Sequence, residues 1–212
     1  MYIPNHNLET DKKEILDFIK RFNFGTIVTV KDNFPNATHL PFLIEERQEG
    51  NDSKLFLVSH FAKANKQWQE LNENTLVIFS EPHAYISPKF YEKLQNVPTW
   101  NYISVHCYGH GKILDGENEK LNVIEKSINF FDDSYKTQWD GLDEKYKMGL
   151  LKGIVAFEIE IDNVQAKKKL SQNKTENERN SIIHSFGQSE DSNEKIIAEY
   201  MKKVNTIEEE NT

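Results

Sequence analysis

The feature that most restricts how this chain can fold is the run Pro82-His83-Ala84-Tyr85-Ile86-Ser87-Pro88, followed closely by Val97-Pro98-Thr99-Trp100-Asn101-Tyr102. Proline fixes its own φ and removes a backbone donor. Two runs that hold three of the chain's 6 prolines can therefore be neither an unbroken helix nor a central strand. The rings of Tyr85, Trp100 and Tyr102 join an apolar body to a polar tip, which suits the wall of a planar-ligand pocket or a subunit interface. The residues by themselves leave open that reading and a tightly turned loop that closes a barrel.

The flanking sequence supplies the elements that such a stretch would join. Asp11 with Glu14 three places on has the form of a capping box, and Ile15, Leu16, Phe18, Ile19 and Phe22 recur at helical spacing, with Gly25 expected to end the helix. Residues 26–30 and 37–43 alternate as strands around the polar turn Lys31-Asp32-Asn33-Phe34-Pro35, which predicts a hairpin. Strands are expected at 55–59, 75–79, 103–113 and 153–161, with a short helix at 62–71 and a long one marked by Leu121, Ile124, Ile128, Phe131 and Tyr135. From about residue 166 the composition turns basic and polar. Two helical pieces are expected around a break at 188–193, and the tail 206–212 is expected to be disordered. Strands outnumber long helices in the first two-thirds, so the fold class is α+β with a barrel core at 1–165 and a helical C-terminal segment at 166–205.

Composition limits the function classes. With 212 residues and 13 phenylalanines there is enough apolar material for one substantial core. The formal charge of −8 opposes non-specific binding to nucleic acid. Cys107 is the only cysteine and is expected to act as a small buried hydrophobe. The start Met1-Tyr2-Ile3-Pro4-Asn5-His6 carries no basic-then-apolar leader, and no apolar run reaches membrane-spanning length, so a soluble cytoplasmic protein without a membrane partner is expected.

Several chemistries can be weighed. His39, His60, His83 and His106 would have to converge from separate strands to hold a metal or a haem, and no zinc-protease spacing is present. There is no G-x-S-x-G elbow, no G-x-G-x-x-G and no P-loop. The segment Ser59-His60-Phe61-Ala62-Lys63-Ala64-Asn65-Lys66 does place a hydroxyl, cations and a helix start at a strand exit, a possible phosphate cradle or an ordinary solvated helix start. Lys169 with Ser171, Gln172 and Asn173 forms a second polar cluster, open to reading as a solvated link.

These segments, taken in order, resemble the FMN-binding negative transcriptional regulators of the PaiB type. The resemblance rests on Met1-Tyr2-Ile3-Pro4, Phe24-Gly25, Ala37-Thr38-His39-Leu40-Pro41-Phe42, His60 with Ala62-Lys63-Ala64-Asn65, the two proline-rich runs, and Lys169-Leu170-Ser171-Gln172-Asn173. It implies a six-stranded antiparallel split barrel like that of the pyridoxamine-phosphate oxidases, a homodimer, and FMN at the subunit interface. By the same resemblance, Thr38, His39 and Leu40 would run along the isoalloxazine edge. Ser59, His60, Lys63, Ala64 and Asn65 would face the phosphate and ribityl chain, and Trp100, Asn101, Lys169, Ser171 and Gln172 would complete the pocket. Two departures stand out: Lys63 occupies the place of an expected arginine, so the bidentate fork is lost, and Lys89-Phe90-Tyr91 replaces a tryptophan-bearing triplet. The resemblance implies a flavin-binding negative regulator, with DNA or a transcription-related protein as its partner. A flavin-dependent oxidoreductase is the alternative, and a haem or metal binder the weaker one.

Overall fold

A computed structural model describes residues 1–50, 52–71 and 74–210. In chain order the elements are β1 (Leu8–Glu9), α1 (Lys12–Arg21), β2 (Phe24–Lys31), β3 (Phe34–Pro41), β4 (Leu43–Glu49), β5 (Asp52–Ala62), β6 (Thr75–Phe79), β7 (His83–Ile86), β8 (Thr99–Leu114), α2 (Glu117–Phe131), α3 (Lys136–Asp140), α4 (Glu144–Leu151), β9 (Ile154–Lys169), α5 (Glu176–Gly187) and α6 (Ser192–Glu210). The chain divides into two compact units. One comprises residues 1–15, 80–105 and 165–212, the other 16–79 and 106–164.

The second unit carries the strand order β3-β2-β6-β8-β9-β5-β4, an open path with β3 and β4 at its ends. The hairpin β2–β3 pairs Lys31 with Phe34 across Asp32 and Asn33, whose φ values of 53° and 61° are the two positive angles of a tight type I′ connection. Gly25 does not end α1, which stops at Arg21; it lies buried inside β2. A Cβ there would come within 2.8 Å of the Phe79 ring, so the close approach of β6 requires glycine. Leu57, Phe61, Phe79, Phe157 and Ile159 are sealed from solvent and form the interior, with Phe61 and Phe157 stacked at 4.8 Å between ring centroids. Val123 of α2 joins Leu43, Val58, Leu114 and Ala156 in a second apolar cluster. Arg47 bridges Glu45 and Glu158 at 2.7 Å each, and Lys126 reaches Glu45 at 2.6 Å, tying α2 to β4.

In the first unit β7 pairs antiparallel with the start of β8, Tyr85 opposite Trp100 and Ala84 opposite Asn101. The proline-rich run is thus a strand between two breaks, with a cis Glu81-Pro82 bond before it and a 3-10 turn at Pro88–Phe90 after it. Helices α5 and α6 pack on each other, and α6 packs on β7. Thr175 caps α5 with a closed capping box involving Glu178.

The split barrel holds, with corrections. Nine strands are present among the described residues instead of six. The additional ones are short, or polar and peripheral: β4 reads Leu-Ile-Glu-Glu-Arg-Gln-Glu and ends the strand path. The helix expected at 62–71 is replaced by a continuation of β5 to Ala62 and a 3-10 turn at Lys66–Glu70. The long helix ends at Phe131. The last helix runs through Glu210, while Asn211 and Thr212, in the tail expected to be disordered, lie outside the described residues. No helix among the described residues is long and apolar enough to cross a membrane.

Candidate functional site

The residues singled out from the sequence fall into two groups, one in each unit. The first lies on β3 and at the exit of β5. Thr38 Oγ1 donates to Gln67 Oε1 at 2.5 Å and accepts from Asn65 Nδ2 at 2.9 Å, while Asn65 Oδ1 accepts the Gln67 backbone N–H at 3.0 Å. This closed ring joins strand to turn. Gln67 is buried, and its Nε2 lies 3.1–3.3 Å from Ile27 O, Thr29 Oγ1 and Asn36 O. Three acceptors around one amide nitrogen fix its orientation and leave Oε1 to receive Thr38. Below it, Thr29 and Asn36 both donate to the Glu70 carboxylate at 2.8 Å. Sequence reasoning missed Gln67; the only signal was its place two residues after Asn65 at a strand exit.

His39 is exposed. Its ring stacks on Phe24 at 6.3 Å, and its Nδ1 lies 2.9 Å from Thr26 Oγ1. Leu40 is half-buried beside it. Ser59 turns inward and is buried, donating to Pro41 O at 2.6 Å. His60 is half-buried, and burial lowers its pKa, which keeps the imidazole neutral near pH 7. Beyond β5 the Lys63 N–H donates to Gly153 O at 2.8 Å and the Asn65 N–H to Ala62 O at 2.9 Å. This tight turn leaves the side chains of Lys63, Ala64 and Lys66 in solvent.

The donor set suits FMN. Two free-standing ammonium groups and an anchored amide at one turn match a phosphate monoester. As an end strand, β3 keeps one row of backbone donors and acceptors unclaimed by another described strand, the alternating pattern that a flavin's pyrimidine-like edge requires.

The second group lies in the first unit. Trp100 is half-exposed, its ring 5.8 Å from Tyr85 and 5.9 Å from His83. Asn101 is fully buried; its Oδ1 accepts from Ser171 Oγ at 3.1 Å, and its Nδ2 finds the sulfur of Met201 at 3.6 Å. Ser171 is buried with φ at 63°, a left-handed conformation that non-glycine residues seldom adopt. Lys169 Nζ donates to Thr99 Oγ1 and to Trp100 O, the latter at 2.8 Å. Gln172 stands apart from these: its side chain closes a local turn, donating to Lys168 O at 2.5 Å and accepting from the Leu170 N–H at 2.7 Å.

Cys107 is fully buried, and burial pushes its thiol up to about 12, which leaves it unreactive. No group of three or more His, Cys, Asp or Glu side chains is placed to hold a metal ion among the described residues.

The family described as "Putative FMN-binding domain" matches residues 1–163. The chain belongs to this FMN-binding family. Flavin mononucleotide is the cofactor that this membership assigns. A relative in the family is "Protease synthase and sporulation protein PAI 2" of Bacillus subtilis strain 168, 38% identical over 206 residues that span 95% of this chain and 97% of the relative. Among solved structures the FMN-binding chain resembles the FAD and haem binding protein from Mycobacterium smegmatis, with a TM-score of 0.59 at 16% identity over 77% of this chain and 73% of that one. It also resembles the flavocytochrome Anf3 from Azotobacter vinelandii, with a TM-score of 0.60 at 12% identity over 79% and 72%. At such identity these two support the split-barrel fold alone. The family match contains the whole first group, whereas Lys169, Ser171 and Gln172 lie beyond its end.

Proposed function

We propose that this protein is an FMN-binding negative regulator of transcription that acts as a homodimer. The observation that carries the regulatory part is the 38% identity over 95% of the chain to a protein named for protease synthesis and sporulation. FMN lies along β3 in this reading. Thr38, His39 and Leu40 face its ring edge, and Lys63, Ala64 and Asn65 hold its phosphate, with Gln67 fixing Thr38 and Asn65 from below. Ser59 ties β5 to the end of β3 through Pro41 O, and His60 faces the ribityl chain. When bound, FMN supplies redox chemistry; the protein's residues bind it, orient it and shield one face.

The formal charge of −8 favours regulation through a protein partner over direct grip on DNA. The dimer is supported by one face of the β2–β3 hairpin, where Phe24 and Val30 leave 65% and 46% of their surface exposed on the same side of β2, an apolar face that a second copy would cover.

Titration of the purified chain with FMN and with riboflavin, read by flavin fluorescence, tests the cofactor. Saturable binding that favours FMN is expected, and equal affinity for the two flavins would remove the phosphate contact. Sedimentation of the same sample tests the dimer. Transcript profiling of a deletion strain tests the regulator, with unchanged transcripts counting against it.

A further inference from the structure

A pocket of about 210 Å3 opens within the first unit, lined by Tyr91, Asn96, Asn101, Lys169, Ser171 and Lys174 among others. It has three unusual properties. None of its lining side chains is a carboxylate, although two are ammonium groups. Lys169 has only neutral acceptors in Thr99 and Trp100, and Lys174 likewise donates to the Asn96 amide oxygen at 2.9 Å with its Nζ 3.7 Å from the Tyr91 ring centre. Tyr91 itself is 8% exposed, and its hydroxyl, sealed from water, has no hydrogen-bond partner.

The carboxylate nearest in effect is that of Glu178, which adds to burial in raising the Tyr91 pKa. Both its oxygens are already engaged, one by the Glu92 N–H at 3.0 Å and the other by the Thr175 N–H at 3.2 Å. It makes no ion pair with Lys169 or Lys174 among the described residues. The pocket is therefore rich in donors and short of negative charge, with Ser171 held at its wall in a left-handed backbone conformation.

We propose that this pocket is a phosphate site, taking inorganic phosphate or the phosphate of a monoester. Two lysines act as point charges on a tetrahedral dianion, where a planar carboxylate would call for an arginine fork, and no arginine lines the pocket. The Tyr91 ring carries Lys174 on its face at the pocket wall, with the hydroxyl sealed off from the cavity. The volume falls below the usual range of about 300–1,000 Å3 for small-molecule pockets, so it admits a phosphate with a short stem and excludes a tricyclic ring. The proposal does not rest on the flavin reading; a chain that failed to bind FMN would still bind phosphate here.

Calorimetric titration of the full chain with inorganic phosphate, at constant ionic strength, is the test. Wild type should bind phosphate saturably, with a component that the two pocket lysines control. Lys169→Met and Lys174→Met should each weaken it by about 10-fold, as expected for lost charge-assisted hydrogen bonds. Lys93→Met, at an exposed position outside the pocket, should leave affinity unchanged, and thermal melts of all three variants confirm that they fold. No saturable binding to wild type, or equal affinity in wild type and both pocket-lysine variants, overturns the proposal. Two sources of phosphate are then separated with FMN. Joint binding of FMN and phosphate identifies a free-phosphate site. Expulsion of phosphate by FMN, with Lys174→Met weakening FMN but not riboflavin, identifies the flavin's own phosphate.

Discussion

Lys168 and Lys169 are neighbours at the end of β9, yet they meet opposite surroundings. Strand alternation sends their side chains to opposite faces. Lys168 lines a pocket of about 430 Å3 together with Glu9, Asp11 and Glu14. Its Nζ lies 2.6 Å from Glu9 and 2.9 Å from Glu14, and it is only 12% exposed. Burial alone would lower its pKa; the two carboxylates outweigh that and raise it. Lys169 has no such partners, so burial, reinforced by the charge of Lys167, lowers its pKa. Lys167 in turn is buried against Tyr2 O at 3.2 Å, its Nζ 5.1 Å from the centre of the Tyr102 ring. Identical side chains one residue apart thus divide the work. One charge is neutralised within the protein and belongs to its structure, while the other remains uncompensated and available to a ligand.

The strongest way to break this contrast is Lys168→Met. It strands Glu9 and Glu14 together without their shared cation, and urea unfolding should show a loss of about 2–3 kcal/mol, toward the lower end for a pair that keeps some solvent. A change below about 0.5 kcal/mol would place Lys168 among ordinary surface pairs.

The difference between wild type and Lys168→Met should also depend on pH in a definite direction. A lysine whose folded pKa is raised stabilises fully below its unfolded value of 10.5, and that contribution disappears as pH rises through the higher folded value. The gap between the two unfolding free energies should therefore stay level from pH 7 to 10 and narrow only above 10.5. A gap already closing between pH 8 and 10 would contradict the pairing.

Lys169→Met should have the smallest effect on stability, under about 1 kcal/mol, because the hydrogen bonds it loses are offset by relief of an uncompensated, partly desolvated charge. Its sign of pH dependence is reversed. With a lowered folded pKa, the charged form costs stability at neutral pH, and that cost fades as pH rises toward 10.5. Urea unfolding of wild type and Lys169→Met at pH 7 and 10 checks both statements.

Much of the frame was legible because its cause is local. The hairpin β2–β3 followed from alternation around Asp32-Asn33, two residues that tolerate positive φ. Helices α5 and α6 followed from apolar spacing and a polar break. What stayed hidden depends on partners distant in sequence. β9 reads as ending near Ile161 because Lys167-Lys168-Lys169 resembles a solvated link; it continues because Tyr2, Tyr102, Glu9 and Glu14 receive those lysines. Lys63 and Asn65 were visible at a strand exit. The turn of Ser59 toward Pro41, and the role of Gln67 beneath Thr38, emerge only when β3 and β5 come together. Tyr91 gave no sequence signal, since an orphaned hydroxyl exists only in a folded interior.

The central claim, that FMN is held along β3 and the turn after β5, is tested most directly by amide hydrogen exchange of the full chain with and without saturating FMN. Slowed exchange concentrated in Phe34–Pro41 and residues 62–65 is the predicted result. Saturable FMN binding that leaves exchange in both segments unchanged would contradict it.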